Sequence, residues 1–570
     1  MATTARAYER NLADFFPLRP AEQHLLETTA CGEAAILSQE RPETPTDQNM
    51  VRAGFIRFLA LGGDETAQVY GHGVQLQGAW IEGELNLRSV TSVGELVLCQ
   101  CCFAEELKLA NATIEGSLNL KGSRILVLFA DRLIVRASLF LSDGFRSDGP
   151  VRLLGAKISG NWECDGGVFD SSIDADRVQV GGVVSMGADF RGYGEVCLLG
   201  AKIVGDWQCA GGLFHKELSA DGAEIGGNIF LTSNFKAIGD VNLTSVRVGG
   251  DLNLRTGQFT NLILQRLEVK NICFFDNIGK ISGSIDLAAA RVRILADDEK
   301  FCPATAILDG FVYGAFGGNA PTTAKHRIAW LDLQSKDHSG ASGEGATFRP
   351  QPWQQLRKVL REMGHYEAAR EVGVEFERRK RRCGLIGEIA EEPPRWCAPF
   401  VWRAVRRVNR SVAKTLHRLY GGLTDYGYRP LKLVFVSFAL WLLCTGLFYI
   451  GAANGSFAPS EPLIYQNPAY ASCAARPGKI AHWTHCKSLP AAYPSFYPPV
   501  YALNVLLPVG DLGEASSWSP ITSAAVTVAG RQLPLGFAVQ FAVWFETLFG
   551  WAASLLLIAV LSGLIKREDA

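Results

Sequence analysis

Apolar and polar residues alternate in short pairs over residues 71–295, in the pattern of strands that bury one face. One polar residue separates Leu118 from Leu120, and one separates Leu252 from Leu254. Apolar positions return about every 11 residues, so one coil of a stacked structure takes about 22 to 23 residues. The pattern predicts a right-handed β-solenoid of about ten coils, in a mainly β fold.

One sequence pattern occurs three times inside this region. The copies read VRLLGAKISGNWECDGGVF from Val151, VCLLGAKIVGDWQCAGGLF from Val196 and VNLTSVRVGGDLNLRTGQF from Val241, a step of 45 residues. A constant period of this length indicates stacked units, each of which needs its neighbours to bury its apolar face. We interpret the 45-residue unit as two coils, similar in style to pentapeptide-repeat helices.

The rest of the chain is predicted to be mainly helical, because its apolar positions recur at helical spacing or in long runs. The predicted segments are a helical cap at 1–70, the solenoid at 71–295, a transitional segment with a flexible loop at 296–350, a helical hairpin at 351–383, a basic amphipathic helix at 398–421, a first transmembrane helix at 431–453, an external loop at 454–534 with a re-entrant-like stretch at 497–511, and a second transmembrane helix at 535–565.

Two apolar runs near the carboxyl terminus predict a membrane protein with two spans. Residues 433–453 contain no charge, and residues 535–565 contain only Glu546. Each run is long enough to cross a hydrocarbon core of about 30 Å.

Basic residues predict the orientation of these spans. Fourteen lysines and arginines lie between Arg378 and Lys432, but only four lie in 454–534. The amino terminus lacks the apolar stretch of a signal peptide. The positive-inside rule then places both termini in the cytoplasm and 454–534 outside.

Composition and motifs bear on the class of function. The net charge of -1 and the pI near 6.8 do not favour binding to nucleic acid, so we expect no nucleic-acid partner. There is no G-x-G-x-x-G between a strand and a helix and no C-x-x-C-H, so we predict no cofactor and no catalytic residue. Cys99 and Cys102 have C-x-x-C spacing within a strand repeat, where we expect small apolar packing.

The external loop contains two cysteines and two histidines that allow two interpretations. Cys473 and Cys486 are expected to form a disulfide, since this loop is predicted to lie in an oxidising compartment. His482, His485 and Cys486 are the alternative, a weak candidate set for zinc or copper.

Glu546 is the intramembrane acid of this chain, and a carboxylate there is costly. Because Thr547–Ile565 can cross a bilayer alone, we expect Glu546 at the outer interface, paired with Arg531 or a loop backbone donor. A role in a pore is the alternative.

The helix at 398–421 has two contrasting faces. One is an apolar stripe that runs from Val401 to Leu419. The other is basic: Arg403, Arg406, Arg407, Arg410 and Lys414. This composition is typical of a helix on an anionic membrane surface. Packing of the helix on the protein itself is the alternative.

Several motifs resemble those of a family of bacterial membrane proteins. They are LALGG at 59–63, GVQLQGAWIEGELNL, ILDGFVYG, FRPQPWQQLRKVLREMGHYEAAREV, LTDYGYRP and YALNVLLPVGDLG. The resemblance covers most of the chain and implies an amino-terminal solenoid with a carboxyl-terminal two-helix hairpin. Members are often labelled membrane-associated oxidoreductase, a label for which these residues provide no physical basis.

The tail resembles a two-helix ion-channel pore module. An apolar helix, a re-entrant stretch, and a second helix with Glu546 and Gly550 follow in that order. The filter positions of such a module fall on this sequence: Leu507, Pro508, Val509, Gly510 and Asp511. The threonine and aromatic residue of a potassium filter are missing, and Pro508 lacks a backbone donor. A ring of Asp511 side chains at a cation-conducting mouth would require a tetramer.

These observations predict an inner-membrane protein that presents a cytoplasmic solenoid as a binding or scaffold surface. The expected partners are the lipid bilayer and a protein along the solenoid. The alternatives are a tetrameric channel gated by the solenoid and a membrane-associated oxidoreductase.

Overall fold

Two compact units make up the chain, Met1–Cys383 and Gly384–Ala570. The computed structural model describes residues 11–301, 303–339, 347–388, 398–470, 473, 482–490, 492–508, 510–528 and 531–562. Each unit has a hydrophobic core of its own.

The first unit is built on a parallel β-solenoid of about 11 turns. Each coil of its middle part contributes four short strands, two to the largest sheet and one to each of two others. The coil that begins at Val151 runs through Val151–Arg152, Lys157–Ile158, Trp162–Glu163 and Val168–Phe169.

Three parallel sheets contain these strands. Sheet A consists of Ala35–Ile36, Gly73–Gln77, Glu95–Cys99, Thr113–Ile114, Leu118–Asn119, Ile134–Val135, Leu139–Phe140, Lys157–Ile158, Trp162–Glu163, Gln179–Val180, Val184–Ser185, Lys202–Ile203, Trp207–Gln208, Glu224–Ile225, Ile229–Phe230, Arg247–Val248, Leu252–Asn253, Glu268–Phe274, Arg291–Ala296 and Val312–Phe316. Sheet B consists of Met50–Arg52, Trp80–Glu82, Cys102–Phe103, Arg124–Ile125, Arg146–Ser147, Val168–Phe169, Arg191–Gly192, Leu213–Phe214, Lys236–Ala237, Gln258–Phe259 and Lys280–Ile281. Sheet C consists of Leu85–Asn86, Leu107–Lys108, Leu128–Phe129, Val151–Arg152, Ile173–Asp174, Val196–Cys197, Leu218–Ser219, Val241–Asn242, Leu262–Ile263, Ser284–Asp286 and Thr305–Ile307.

Strand register confirms the predicted coil length and its pairing into a 45-residue unit. In sheet C, Val151 pairs with Ile173, which pairs with Val196. The first step is 22 residues and the second is 23, so two successive coils make one repeat. The extra residue of the longer coil lies between sheets A and B, where Arg191 pairs with Val168.

A ladder of phenylalanine rings explains why two coils, and not one, form the repeat. In sheet B, Phe169 pairs with Gly192, so one coil has a ring at this inward position and the next has none. Phe190, at the preceding corner of that next coil, supplies its ring instead, and its centroid lies 5.4 Å from that of Phe169. A Cβ on Gly192 would approach the Phe190 ring to 3.2 Å. The six stacked rings are Phe145, Phe169, Phe190, Phe214, Phe235 and Phe259.

Helices α1 (Pro20–Cys31) and α2 (Ala53–Ala60) cover the amino-terminal end of the solenoid, after a 3-10 turn at Leu12–Phe15. The buried carboxylate of Glu22 binds the Arg52 guanidinium at 2.5 Å. The helical cap at 1–70 also contributes strands, because Ala35–Ile36 and Met50–Arg52 pair with sheets A and B.

Parallel strand pairing continues beyond residue 295, the predicted end of the solenoid. Arg291–Ala296 pairs with Val312–Phe316, so a further coil lies in the predicted transitional segment.

Four helices follow this last coil: α3 (Ala324–Leu331), α4 (Lys336–Ser339), α5 (Gln351–Glu362) and α6 (Tyr366–Arg382). Helices α5 and α6 form the predicted hairpin, with Gly364 at a positive φ of 84° between them. Buried residues of this hairpin belong to the same hydrophobic core as the coils.

The second unit is mainly helical. Its helices are α7 (Pro399–Thr424), α8 (Leu431–Ala453), α9 (Pro462–Gln466), α10 (Pro498–Leu506), α11 (Glu514–Ser517) and α12 (Leu535–Leu561), with 3-10 turns at Pro468–Tyr470 and Trp483–His485. Phe457–Pro459 pairs antiparallel with Trp518–Pro520, and Val526–Val528 with Arg531–Leu533.

Helices α8 and α12 are long and apolar enough to cross a membrane. Only 17% of the α8 window and 11% of the α12 window are buried, whereas the core helix of a soluble protein would be mostly buried. These helices indicate a membrane protein. Together with the parallel solenoid and the α5–α6 hairpin, they confirm the predicted fold class.

Candidate functional site

The solenoid carries acidic side chains on one side of sheet C. We call this the acidic face, and it consists of Asp174, Asp176, Glu195, Glu217, Asp221 and Asp240. The successive strands Ile173–Asp174, Val196–Cys197, Leu218–Ser219 and Val241–Asn242 contain no lysine or arginine. None of the six acids forms an ion pair within the part of the chain that the structure describes.

Charges on the other sheets are paired along the stack. In sheet A, Glu224 lies 3.3 Å from both Lys202 and Arg247. In sheet B, the Arg124 guanidinium lies 2.8 Å from the Asp148 carboxylate. The six acids of the acidic face differ from these ladders in forming no ion pair within the described residues, although Arg152 is the neighbour of Asp174 in the register of sheet C. Sequence analysis missed it, because its acids are about 22 residues apart and only the coil register brings them together.

Cys197 lies half-buried in the middle of the acidic face. Burial, together with Asp176, Asp174, Glu195 and Glu217, raises the pKa of its thiol to about 11. Burial is the largest cause of this shift, and the four carboxylates add to it because a thiolate is disfavoured beside negative charge. The thiol is therefore protonated and a weak nucleophile at neutral pH.

The other solenoid cysteines pack as expected for small apolar side chains. Cys164 and Cys209 are fully buried, and burial raises the pKa of both thiols. Cys101 is also buried, with a pKa raised to about 12, again mainly by burial. No group of three or more histidine, cysteine or acidic side chains in the described residues is arranged to hold a metal ion.

The basic amphipathic helix predicted at 398–421 is α7, and its apolar stripe is exposed. The exposed fractions of Val408 and Leu416 are 62% and 59%. On the opposite side, Arg403, Arg406, Arg407 and Arg410 line a cavity of about 320 Å³ together with Gly387 and Glu388. Arg410 lies 3.8 Å from Glu388. Lys414 lies further along this basic side.

The predicted re-entrant stretch contains α10, which packs against both α8 and α12. The Trp441 indole of α8 donates a hydrogen bond of 2.9 Å to the Pro499 carbonyl at the start of α10. The Phe448 and Tyr501 rings meet edge to face at 5.3 Å. At the other end of α10, a Cβ on Gly550 would lie 1.9 Å from the Leu506 carbonyl oxygen. Close backbone approach at Gly550 therefore positions α10 against α12.

The loop after α10 contains the predicted filter positions. Asn504 of α10 donates to the Gly510 carbonyl at 2.9 Å and accepts from the Ala515 amide at 3.0 Å. Asp511 is exposed, and its carboxylate accepts a hydrogen bond of 2.8 Å from the Gly513 amide. Pro508, another predicted filter position, lies in the same loop two positions before Gly510. The filter position Val509 lies outside the described residues. Asn504, which sequence analysis did not select, therefore fixes this loop to α10.

Glu546 lies in the middle part of α12. Its side chain is fully buried, and in the described residues its carboxyl group has no hydrogen-bond partner other than the Cys444 thiol. Cys444 of α8 and Tyr501 of α10 face it. The structure does not describe the side chain of its expected partner, Arg531.

The external loop joins Cys473 and Cys486 in a disulfide, with Cα atoms 5.7 Å apart. His482 and His485 lie exposed at the short turn before Cys486. With its sulfur bonded to Cys473, Cys486 has no thiolate to offer to a metal in this arrangement.

Comparisons with known proteins provide no relative of this chain. No family model, no curated protein and no solved structure matches it. The membrane-protein family that the motifs resemble, and its oxidoreductase label, are therefore not supported by a match.

Proposed function

We propose that this protein is a membrane-anchored binding protein, whose cytoplasmic solenoid holds a protein partner with a basic surface. The acidic face carries this proposal. An excess of charge of one sign on a rigid surface steers partners of opposite charge and fixes their orientation. Helices α8 and α12 would anchor the solenoid in a bacterial inner membrane, and the apolar stripe of α7 would lie in the bilayer surface.

A photo-activated cross-linker in the full-length protein tests the partner in cells. At Leu199, beside the acidic face, it should give a defined cross-linked product, whereas Val204 on the same coil serves as the matched exposed control. Replacing Glu195 and Glu217 by lysine should remove the product at Leu199. A product that is equal at Leu199 and Val204, or that persists in the lysine variant, would contradict a role for the acidic face.

A lipid-borne photo-reactive probe tests the position of α7. Peptides from Pro399–Thr424 should be labelled in membranes, and the substitutions Val408→Asp and Leu416→Asp should reduce labelling of α7 but not of α8. Absence of label from α7 in the unchanged protein would indicate that its stripe packs on protein.

Ion conduction is a second candidate function, which the packing of α10 favours. A short helix held between two span helices, with a loop fixed by Asn504, is the arrangement that a pore loop needs. Conduction requires that several copies bring this loop to one axis. Currents in planar bilayers that Asn504→Ala abolishes, from a protein that is tetrameric in detergent, would support it. A protein that is monomeric in detergent and carries no current would contradict ion conduction.

A further inference from the structure

Glu546 is a buried acid whose charge has no visible compensation. Its side chain is 0% exposed, and in the described residues its carboxyl group has no hydrogen-bond partner other than the Cys444 thiol, which is a weak donor. It lies on α12 about 16 Å from Leu535, inside an apolar helix of 27 residues that is long enough to cross a bilayer core of about 30 Å. An ionised carboxylate at such a position costs several kcal/mol unless it is paired.

The groups that face Glu546 do not supply a positive charge. Cys444 on α8 and Tyr501 on α10 are the titratable side chains beside it, and both are neutral acids. The strand Trp518–Pro520, which also packs near α12, contributes no ionisable side chain. No lysine, arginine or histidine acts on Glu546 within the described residues. These surroundings therefore favour the protonated, neutral form of the Glu546 carboxyl group.

The same neighbours argue against a metal cation as the ligand. Hard cations take six or more oxygen ligands, or four strong ligands for zinc. One carboxyl, a thiol and a phenol do not provide such a set, and no cluster of three ligating side chains occurs in the described part of the chain. A proton needs only the carboxylate itself.

We propose that Glu546 is a proton-binding site of the helical unit, and that it carries its proton while α10 is packed against α8 and α12. The carboxylate takes up one proton to become a carboxylic acid, and no other bond changes. Loss of this proton places a charge beside Cys444 and Tyr501, which opposes the packing of α10 against α8 and α12. This site does not depend on the acidic face of the solenoid.

Carbodiimide labelling of the full-length protein in lipid vesicles tests the proposal. Dicyclohexylcarbodiimide is apolar and adds to protonated carboxyls, whereas a water-soluble carbodiimide reaches only acids in contact with water. We expect the apolar reagent to add one carbodiimide to the peptide that contains Glu546 at pH 7, where an exposed glutamate, with a pKa of about 4.3, is ionised. Labelling should fall as the pH is raised further, because the carboxylate does not react.

Two variants provide the controls. Glu546→Gln should remove the label from this peptide, and Glu514→Gln, which changes another buried acid of the same unit, should leave it unchanged. Because the label is mapped in the unchanged protein, the result does not depend on the folding of a variant. Absence of label on Glu546 at pH 7, or equally fast labelling by the water-soluble reagent, would overturn the proposal.

Discussion

Two glycines of the span helices have very different surroundings. A Cβ on Gly550 would lie 1.9 Å from the backbone oxygen of Leu506, and no rotamer change can relieve a contact with backbone. A Cβ on Gly446 of α8 would meet nothing within 4 Å. The same substitution at the two positions therefore separates the effect of close packing from the general effect of removing a helical glycine.

We predict that Gly550→Ala destabilises the helical unit by about 1–3 kcal/mol, because it forces α10 away from α12. Gly446→Ala should be neutral or slightly stabilising, since alanine favours the helix. Thermal melting of the purified protein in detergent, followed by the fluorescence of its tryptophans, measures both. Equal melting temperatures for the two variants would show that α10 does not approach α12 at Gly550.

The acids around Cys197 give a second prediction about single residues. Because burial, together with these acids, raises the pKa of this thiol to about 11, alkylation of Cys197 should be slow at pH 7 and accelerate steadily up to that pH. Replacing Glu195 and Glu217 by glutamine should lower the pKa and speed the reaction at pH 8. Alkylation of exposed Cys31 in the same sample is the internal reference. An unchanged rate in the glutamine variant would contradict the electrostatic account of the acidic face.

Among the elements of the solenoid, the phenylalanine ladder has the clearest energetic role. Its rings come alternately from a strand and from the corner before it, so each pair of coils fills one continuous row in the core. Removal of one ring leaves a cavity that its neighbours fill only in part, because they are held by their own strands.

We predict that Phe190→Ala destabilises the solenoid by about 3–5 kcal/mol. Phe230→Ala, at a half-buried outward position of sheet A, should cost much less. The rate at which the buried thiol of Cys209 becomes reactive in urea reports on opening of these coils. The same rate in both variants would mean that the ladder does not stabilise the stack.

The whole molecule combines an extended β unit with a helical unit that has the properties of a membrane protein. The excess of basic residues before α8 predicts that the termini are cytoplasmic and that 454–534 faces outward. A lasting disulfide between Cys473 and Cys486 agrees with this orientation, since disulfides are rare where thiols are kept reduced.

Thiol blocking in intact cells checks this orientation. Cys473 and Cys486 should resist alkylation until a reductant is added, whereas Cys31 should react without reduction once the cells are opened. Mass spectrometry of the two peptides measures the result. Immediate alkylation of both external cysteines in opened cells, without a reductant, would contradict the proposed topology.

The sequence by itself determined the repeat architecture, the two span helices and the helical hairpin, because each depends on local periodicity. The 45-residue step at Val151, Val196 and Val241 follows from strand spacing, and the apolar runs follow from composition. The exposed stripe of α7 could be anticipated from helical spacing in the same way.

Only the tertiary structure decided the properties that arise between distant residues. It assembled the acidic face from separate coils and placed the ring of Phe190 in the space that Gly192 leaves open. It also buried Glu546 beside Cys444 and Tyr501, neither of which sequence reasoning had named as its neighbour. Burial and charge compensation depend on neighbours brought together by folding, and no local pattern in the chain records them.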